Sequence, residues 1–567
     1  MRNYESLNRL KSKDWTPTLI FALPLLFLVL FMFWPLLTTV IRAFLGPGNN
    51  AQLSSFSLEN FKRFFTSSMY QRSLRNSLVV SIVVVFFSML IGVPMGYFVA
   101  RVKLPFKGLI LSLGILPIIL PSFVGAFSWI ILLGRQGVIR QILNPLLGFI
   151  GITIPPITGM FGMIFVMTMT YYPFVFLMCY GAFEAANPLL EEAAMIMGAP
   201  RRRIFRTISF PLVLPSIGAG AVIVFIRVMG NFGIPAIIGG DQYVLPTLIY
   251  FRVNGFWDIN GASAISLVSV LITGAAIFLQ KYIIEKRQYE TISTSRSEHK
   301  LHTHLAVRII AGLFIAIVLL ISLAPQITMF VMSFFTKWYG MLPEGFTLNN
   351  YIRIPRVASR SIVNSLLLSV SASLIAGILG CIIAYITERR KPKGAFLLDM
   401  AVMAPFILPG TVVAVAILAT FGSGSIALRG TYTIIIIAYV VRRTPYVYRS
   451  VVASLTQLNP TLEEASWISG ANWLYTFRRV SLPLILPAVI TGMILTFTTL
   501  LQELSTTILL YSAKTRTVPI QIYGAVADGK FGEASALSVL LIVTVFVIVY
   551  AVNKWRGRSF ISGFTMG

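Results

Sequence analysis

Two carboxylate-bearing stretches repeat in this chain. Glu191-Glu192-Ala193-Ala194 is followed three residues later by Gly198 and, after nine more, by Ile208-Ser209-Phe210-Pro211. Glu463-Glu464-Ala465-Ser466 is followed at the same spacings by Gly470 and Val480-Ser481-Leu482-Pro483. A second set of polar groups interrupts otherwise apolar runs: Arg227, Arg442, Arg443 and Glu503, with Asn231 at the first-half position that matches Glu503. A charge at the centre of a membrane helix costs about 2.5–3.5 kcal/mol on insertion scales, so each should face a cavity or a partner. Two readings stand. The groups line a pathway, where surplus positive charge suits a solute with negative oxygens, such as a phosphonate or a ferric ion accompanied by an anion, and suits a polyamine poorly. Or Arg443 and Glu503 form an ion pair that locks neighbouring helices.

Catalysis is not expected, because no metal-ligand spacing, catalytic carboxylate pair or nucleophile elbow occurs. Gly524 to Phe531 mimics a phosphate-binding loop in its two glycines and Lys530, but Phe531 stands where magnesium needs a hydroxyl. No cofactor or metal is expected. Cys179 and Cys381 lie in apolar runs and read as packing residues. His299, His302 and His304 read as part of a solvated linker rather than a metal site.

The repeated stretches predict a helix, a turn and a second helix. Asn187 and Asn459 suit N-caps, and Pro188 and Pro460 suit the first helical position, which needs no donor. Leu190, Ala193, Ala194 and Met197 form an apolar stripe, while Glu191 and Glu192 sit in the early turns near the positive end of the helix dipole. Gly198 and Gly470 should stop the helix in the left-handed conformation. Pro211, Pro215, Pro483 and Pro487 are expected to mark a bend into the next span.

Composition places these loops on a membrane protein. Residues are 56% hydrophobic and 11% charged, with mean hydropathy +0.83, where soluble domains carry about 25% charge. The net charge of +27 and pI near 10.3 come from basic clusters between apolar runs, as in topology-setting loops, so a nucleic-acid partner is not expected. Runs long enough to span the bilayer fall near 17–43, 76–100, 108–133, 157–181, 211–236 and 263–283, then 306–334, 362–387, 395–421, 430–452, 484–510 and 534–553. Asn76-Ser77-Leu78, Pro117 and Pro121 recur 288 residues on, as Asn364-Ser365-Leu366, Pro405 and Pro409. The Asn-Pro-x-Leu-Glu-Glu-Ala stretch recurs 272 residues on, so the first half carries a longer loop between its third and fourth spans. The expected architecture is an all-α polytopic membrane protein of about twelve transmembrane helices in two homologous halves. These are residues 1–284 and 304–567, with the repeated loops at 187–215 and 459–487 and a cytoplasmic linker at 285–303. The bias of Lys and Arg puts the N-terminus and both loops in the cytoplasm.

The loops resemble the EAA loop of binding-protein-dependent ABC importer permeases of the MetI-like superfamily, whose pattern is Glu-Ala-Ala, three residues, Gly, nine residues, Ile-x-Leu-Pro. Ser466, Val480 and Phe210 depart from it mildly. The resemblance implies that Glu191, Glu192, Ala193, Ala194 and Gly198, and Glu463, Glu464, Ala465 and Gly470, belong to docking loops for two separate ABC ATPase subunits. It also implies an extracytoplasmic solute-binding protein and a small solute crossing the bacterial plasma (inner) membrane. The fused two-half layout is similar to ferric-iron permeases, with aminoethylphosphonate or thiamine as alternatives. A short helix lying on the membrane surface is the plainer alternative for each loop, and a secondary transporter is the rival from another class.

Overall fold

The computed structural model describes residues 16–47, 56–149, 151, 153–284, 304–338, 341–391, 394–424 and 426–555. The expected linker, with His299 and His302, lies outside them. Among the described residues, nine helices are long and apolar enough to cross a membrane. They are Ala22–Ala43, Ser68–Arg101, Gly159–Ala185, Arg202–Met229 and Ile259–Gln280 in the first half, and Leu305–Met332, Ser359–Arg390, Trp473–Leu501 and Phe531–Ala551 in the second. The fourth span of the second half is the helix Tyr432–Gln457, set apart from those nine by Arg442, Arg443 and Arg449. Outward-facing Phe86, Leu313, Leu320, Ile378 and Val547 are exposed, as lipid contact requires, because helices hide their backbone polar groups internally and present only side chains to hydrocarbon.

Three expectations are corrected. The runs at 108–133 and 395–421 are not straight spans but bent pairs: Lys107–Ile119 with Ser122–Leu133 at 98°, and Ala395–Ile407 with Gly410–Phe421 at 109°. Each break falls at a leucine that precedes a proline, Leu120-Pro121 and Leu408-Pro409, and both leucines are extended, the conformation proline imposes on its predecessor. The carbonyl of Ile119, freed by the first break, accepts from Gln502 Nε2 of the other half at 2.7 Å, which is how a broken helix is tolerated at membrane depth.

The fifth spans, expected at 211–236 and 484–510, end earlier, at Met229 and Leu501. Asn231 and Glu503 therefore lie in the turn after the helix, not within it. Their side chains accept from the N–H groups of Ile234 and Thr506, redirecting the chain into a short new helix. Finally, the prolines at 211, 215, 483 and 487 lie inside continuous helices rather than at a break. The fifth spans begin upstream, at Arg202 and Trp473, and run through five-residue π turns, Phe205–Ser209 and Phe477–Ser481. The wider turn absorbs the missing proline donors without breaking the rod.

The duplication is visible in packing. Gly92 and Gly220 approach Val175 of the fourth span, and Gly380 and Gly492 approach Val447 in the same way. Small residues let these helices meet closely where apolar contact alone drives no association. A Cβ at Gly492 would lie 2.6 Å from the Val447 backbone, so Gly492→Ala is expected to destabilise by about 1–3 kcal/mol, read as a lower Tm of the solubilised chain. The first span of each half packs on the last span of its own half and on the bent pair of the other, so the halves interlock. The longer first-half loop is structured as the helix Val138–Gly148. Among the described residues the class is all-α apart from one short hairpin, Phe335–Lys337 with Glu344–Phe346, mirrored in the first half by an isolated bridge between Leu45 and Phe56.

Candidate functional site

Each repeated loop folds as a short helix, a glycine turn and the start of the fifth span. The helices are Pro188–Ile196 and Thr461–Ile468. Asn187 Oδ1 accepts from the N–H of Leu189 at 2.9 Å, and Asn459 Oδ1 from that of Thr461 at 3.1 Å. Gly198 and Gly470 turn at φ +81° and +85°, where a side chain would strain the backbone.

The two glutamates of each pair separate. Glu464 is exposed and Glu192 half-buried, whereas Glu463 is buried and Glu191 points inward. Arg101, the last residue of the second span, donates to Glu191 Oε1 at 2.8 Å, and Ser209 Oγ donates to the same oxygen at 2.9 Å. In the second half Ser481 Oγ donates to Glu463 Oε1 at 2.6 Å, Tyr385 donates to Oε2 at 3.2 Å, and Arg389 Nε lies 3.5 Å from Oε1. Arg101 and Arg389 are 288 residues apart and Ser209 and Ser481 are 272 apart, the two repeat offsets already found, and that was the signal that could have exposed these partners. Ser466, the departure at the second alanine, bonds Thr476 at 2.9 Å and so ties the short helix to the fifth span.

What the short helices turn outward is apolar. Leu190, Met195, Ile196 and Met197 are exposed in the first loop, and Leu462, Trp467 and Ile468 in the second, with Ile196 86% and Ile468 79% accessible. Ala193 and Ala465 lie exposed among them and Ala194 is half-buried.

The intramembrane charges converge. Glu503 pairs with both Arg442 and Arg443, and Arg442 also donates to Thr506 Oγ1 at 2.9 Å. Arg227 reaches across from the first half, its guanidinium 5.6 Å from the ring centres of Phe174 and Phe406 and 3.5 Å from the Tyr446 hydroxyl. Arg443 donates to that hydroxyl at 3.3 Å. One carboxylate thus pairs with two guanidiniums while the third is linked to Arg443 through Tyr446, and the aromatic rings around Arg227 partly replace its lost hydration. Sequence reasoning found the charges but not Tyr446, Phe174 or Phe406.

The same positions in the first half hold a neutral version. Asn231 donates to Tyr171, which occupies the place of Arg443, and to Ser122 at 3.0 Å. Gly410 stands where Ser122 does, and a Cβ there would lie 2.6 Å from Arg442 Nη1; the glycine makes room for the guanidinium.

The family described as a binding-protein-dependent transport system inner membrane component matches residues 92–289 and again residues 376–559. The chain is 30% identical over 537 residues to the ferric transport system permease protein FbpB of Actinobacillus pleuropneumoniae, covering 93% of this chain and 77% of that protein. It is 31% identical over 530 residues to the putative ferric transport system permease protein FbpB 1 of Haemophilus influenzae, covering 91% and 81%. Over 253 residues, 44% of the chain, it is 25% identical to 96% of the putative 2-aminoethylphosphonate transport system permease protein PhnV of Salmonella typhi. Among solved structures, a bacterial ABC transporter that imports the acidic polysaccharide alginate aligns one chain over 50% of this one and 99% of its own, with TM-score 0.38 and 20% identity.

Proposed function

Since the chain belongs to the family of binding-protein-dependent transport system inner membrane components and carries that domain twice, we propose that it forms the whole translocation pathway of an ABC importer for ferric iron. Halves 1–284 and 304–567 each contribute one bundle, with the linker, the N-terminus and the docking loops on the cytoplasmic side of the inner membrane. One ATPase subunit sits under each short helix, contacting Glu192 and Glu464 and the apolar faces around Ile196 and Ile468. ATP hydrolysis belongs to those partners; Gly524 to Phe531 ends one helix and begins the next and is no nucleotide loop. Cargo arrives from a solute-binding protein on the opposite side. There a cavity of about 820 Å³ is lined by Lys337, Arg353, Arg516 and Lys530 with Asp528 and Glu533.

The observation that carries this reading is the pair of matched docking loops, each with an exposed apolar face. Iron is favoured over a phosphonate because the similarity to ferric permeases runs along more than nine-tenths of the chain. The excess of arginine over carboxylate around Glu503 suits iron that crosses with its accompanying anion. The test is ATPase activity of the purified complex in lipid, with binding proteins loaded in turn with ferric iron, phosphonate or thiamine. Stimulation by the iron-loaded protein alone is expected. Stimulation by another cargo moves only the substrate, whereas failure to associate with any ATPase sinks the importer reading and favours a secondary transporter.

A further inference from the structure

The docking helices have a mechanical difficulty. Each has nine or eight residues, too few to hold its shape alone in water. Each is joined to the fifth span through a glycine whose Cβ position meets nothing within 4 Å. A push on such a helix would turn it about the open hinge and leave the span where it was. Something else has to close the angle between helix and rod.

We propose that Glu191 and Glu463, the inward glutamates of the two pairs, are coupling struts rather than docking contacts, and that they turn movement of the docking helix into movement of two spans at once. Each carboxylate touches three elements: its own docking helix, the serine in the π turn of the fifth span (Ser209, Ser481), and an arginine in the last turn of the second span (Arg101, Arg389). The arginines are themselves held. Arg101 is only 5% exposed, and Arg389 donates to the carbonyls of Leu455 and Leu458 at 3.0 and 2.8 Å, which fixes it to the end of the fourth span as well. In the first half the contact is a charge-assisted hydrogen bond of 2.8 Å, short and directional as a strut requires; in the second the ion pair is longer, 3.5 Å, and the short bond is the one from Ser481 at 2.6 Å. A buried ion pair need not add net stability, and this one recurs in both halves beside the glycine turn.

The same aromatic brace stands beside each strut: Tyr97 packs 5.2 Å from Phe205 of the first π turn, and Tyr385 packs 4.9 Å from Phe477 of the second and donates to Glu463. In the second half Ser466 also bonds Thr476.

The inference rests on the importer reading, and the experiment separates the two. Glu191→Gln, Glu463→Gln, the exchange Glu463→Arg with Arg389→Glu, and outward-facing Glu464→Lys are reconstituted with the partner ATPase. Three quantities are read: ATPase co-purification, basal hydrolysis, and cargo moved per ATP. The Gln variants are expected to keep the ATPase and its basal rate while cargo per ATP falls about tenfold, on the scale of one lost bond to a charged group. The exchange should recover part of the loss, which a merely space-filling role would not allow. Glu464→Lys should instead lose the ATPase. Unchanged cargo per ATP in both Gln variants overturns the proposal, and so does loss of ATPase binding in them, which would make these glutamates docking contacts. If a Gln variant fails to insert, Ser209→Ala and Ser481→Ala decide in the same way, with an expected fall of about threefold. Failure of the unaltered chain to bind any ATPase refutes the importer reading and leaves the strut without a load.

Discussion

Glu503→Ala is expected to give a chain that folds poorly and moves no cargo. The carboxylate is 5% exposed and is the shared counter-ion of Arg442 and Arg443. Its removal leaves two guanidiniums buried without it, at a cost of about 3–5 kcal/mol, a large part of the roughly 5–15 kcal/mol that holds a typical domain together. That loss alone would not distinguish a pathway residue from a helix lock. The first half supplies the control, because Tyr171 and Asn231 fill the corresponding positions without charge. Arg442→Thr, Arg443→Tyr and Glu503→Asn together, with Gly410→Ser to supply the hydroxyl that Ser122 provides, rebuild the neutral arrangement in the second half. This fourfold variant is expected to recover a Tm within a few degrees of the unaltered chain while iron uptake into proteoliposomes stays lost. Uptake restored along with stability would make the charges a lock and put the pathway elsewhere.

The asymmetry explains why the site was only partly legible in the sequence. The charges announced themselves because each is costly in hydrocarbon, and the 272-residue offset already set Arg443 against Tyr171 and Glu503 against Asn231. The Arg443–Glu503 pair was one of the two readings the residues offered, and it is present; the approach of Arg227 was not legible, because it meets Tyr446 and Phe406 only through the contact between halves, which no local pattern encodes. The breaks at Leu120-Pro121 and Leu408-Pro409 were likewise hidden: a hydropathy run measures apolar length and is blind to a bend when a distant Gln502 supplies the missing donor. The glycine turns and asparagine caps of the docking loops were legible because they depend on backbone conformation within a few residues. The separation of Glu191 from Glu192 was not, since adjacent residues on a helix point about 100° apart and only the arginine at the end of another span shows which one faces inward.

Ile196→Asp combined with Ile468→Asp is expected to abolish recovery of the ATPase with the permease while leaving the permease itself intact. Both side chains stand out at matching positions, 86% and 79% accessible, so an aspartate at either changes the stability of the chain by no more than about 0.5 kcal/mol. Buried in a partner's groove, each isoleucine would contribute about 1.5–3 kcal/mol, so its loss weakens one contact by about 10–100-fold, and the buried charge adds to that. With both contacts weakened, a complex stable through purification becomes one that dissociates on the column. The single variants should each retain partial recovery, because the other loop still holds. The same pair of substitutions tests the plainer alternative, a short helix lying on the lipid surface. There the isoleucines would be seated among acyl chains, and the aspartates would lift the helices from the bilayer without touching ATPase affinity. Full ATPase recovery with the double variant would therefore assign these faces to lipid, whereas loss of the ATPase with an unchanged Tm assigns them to the motor.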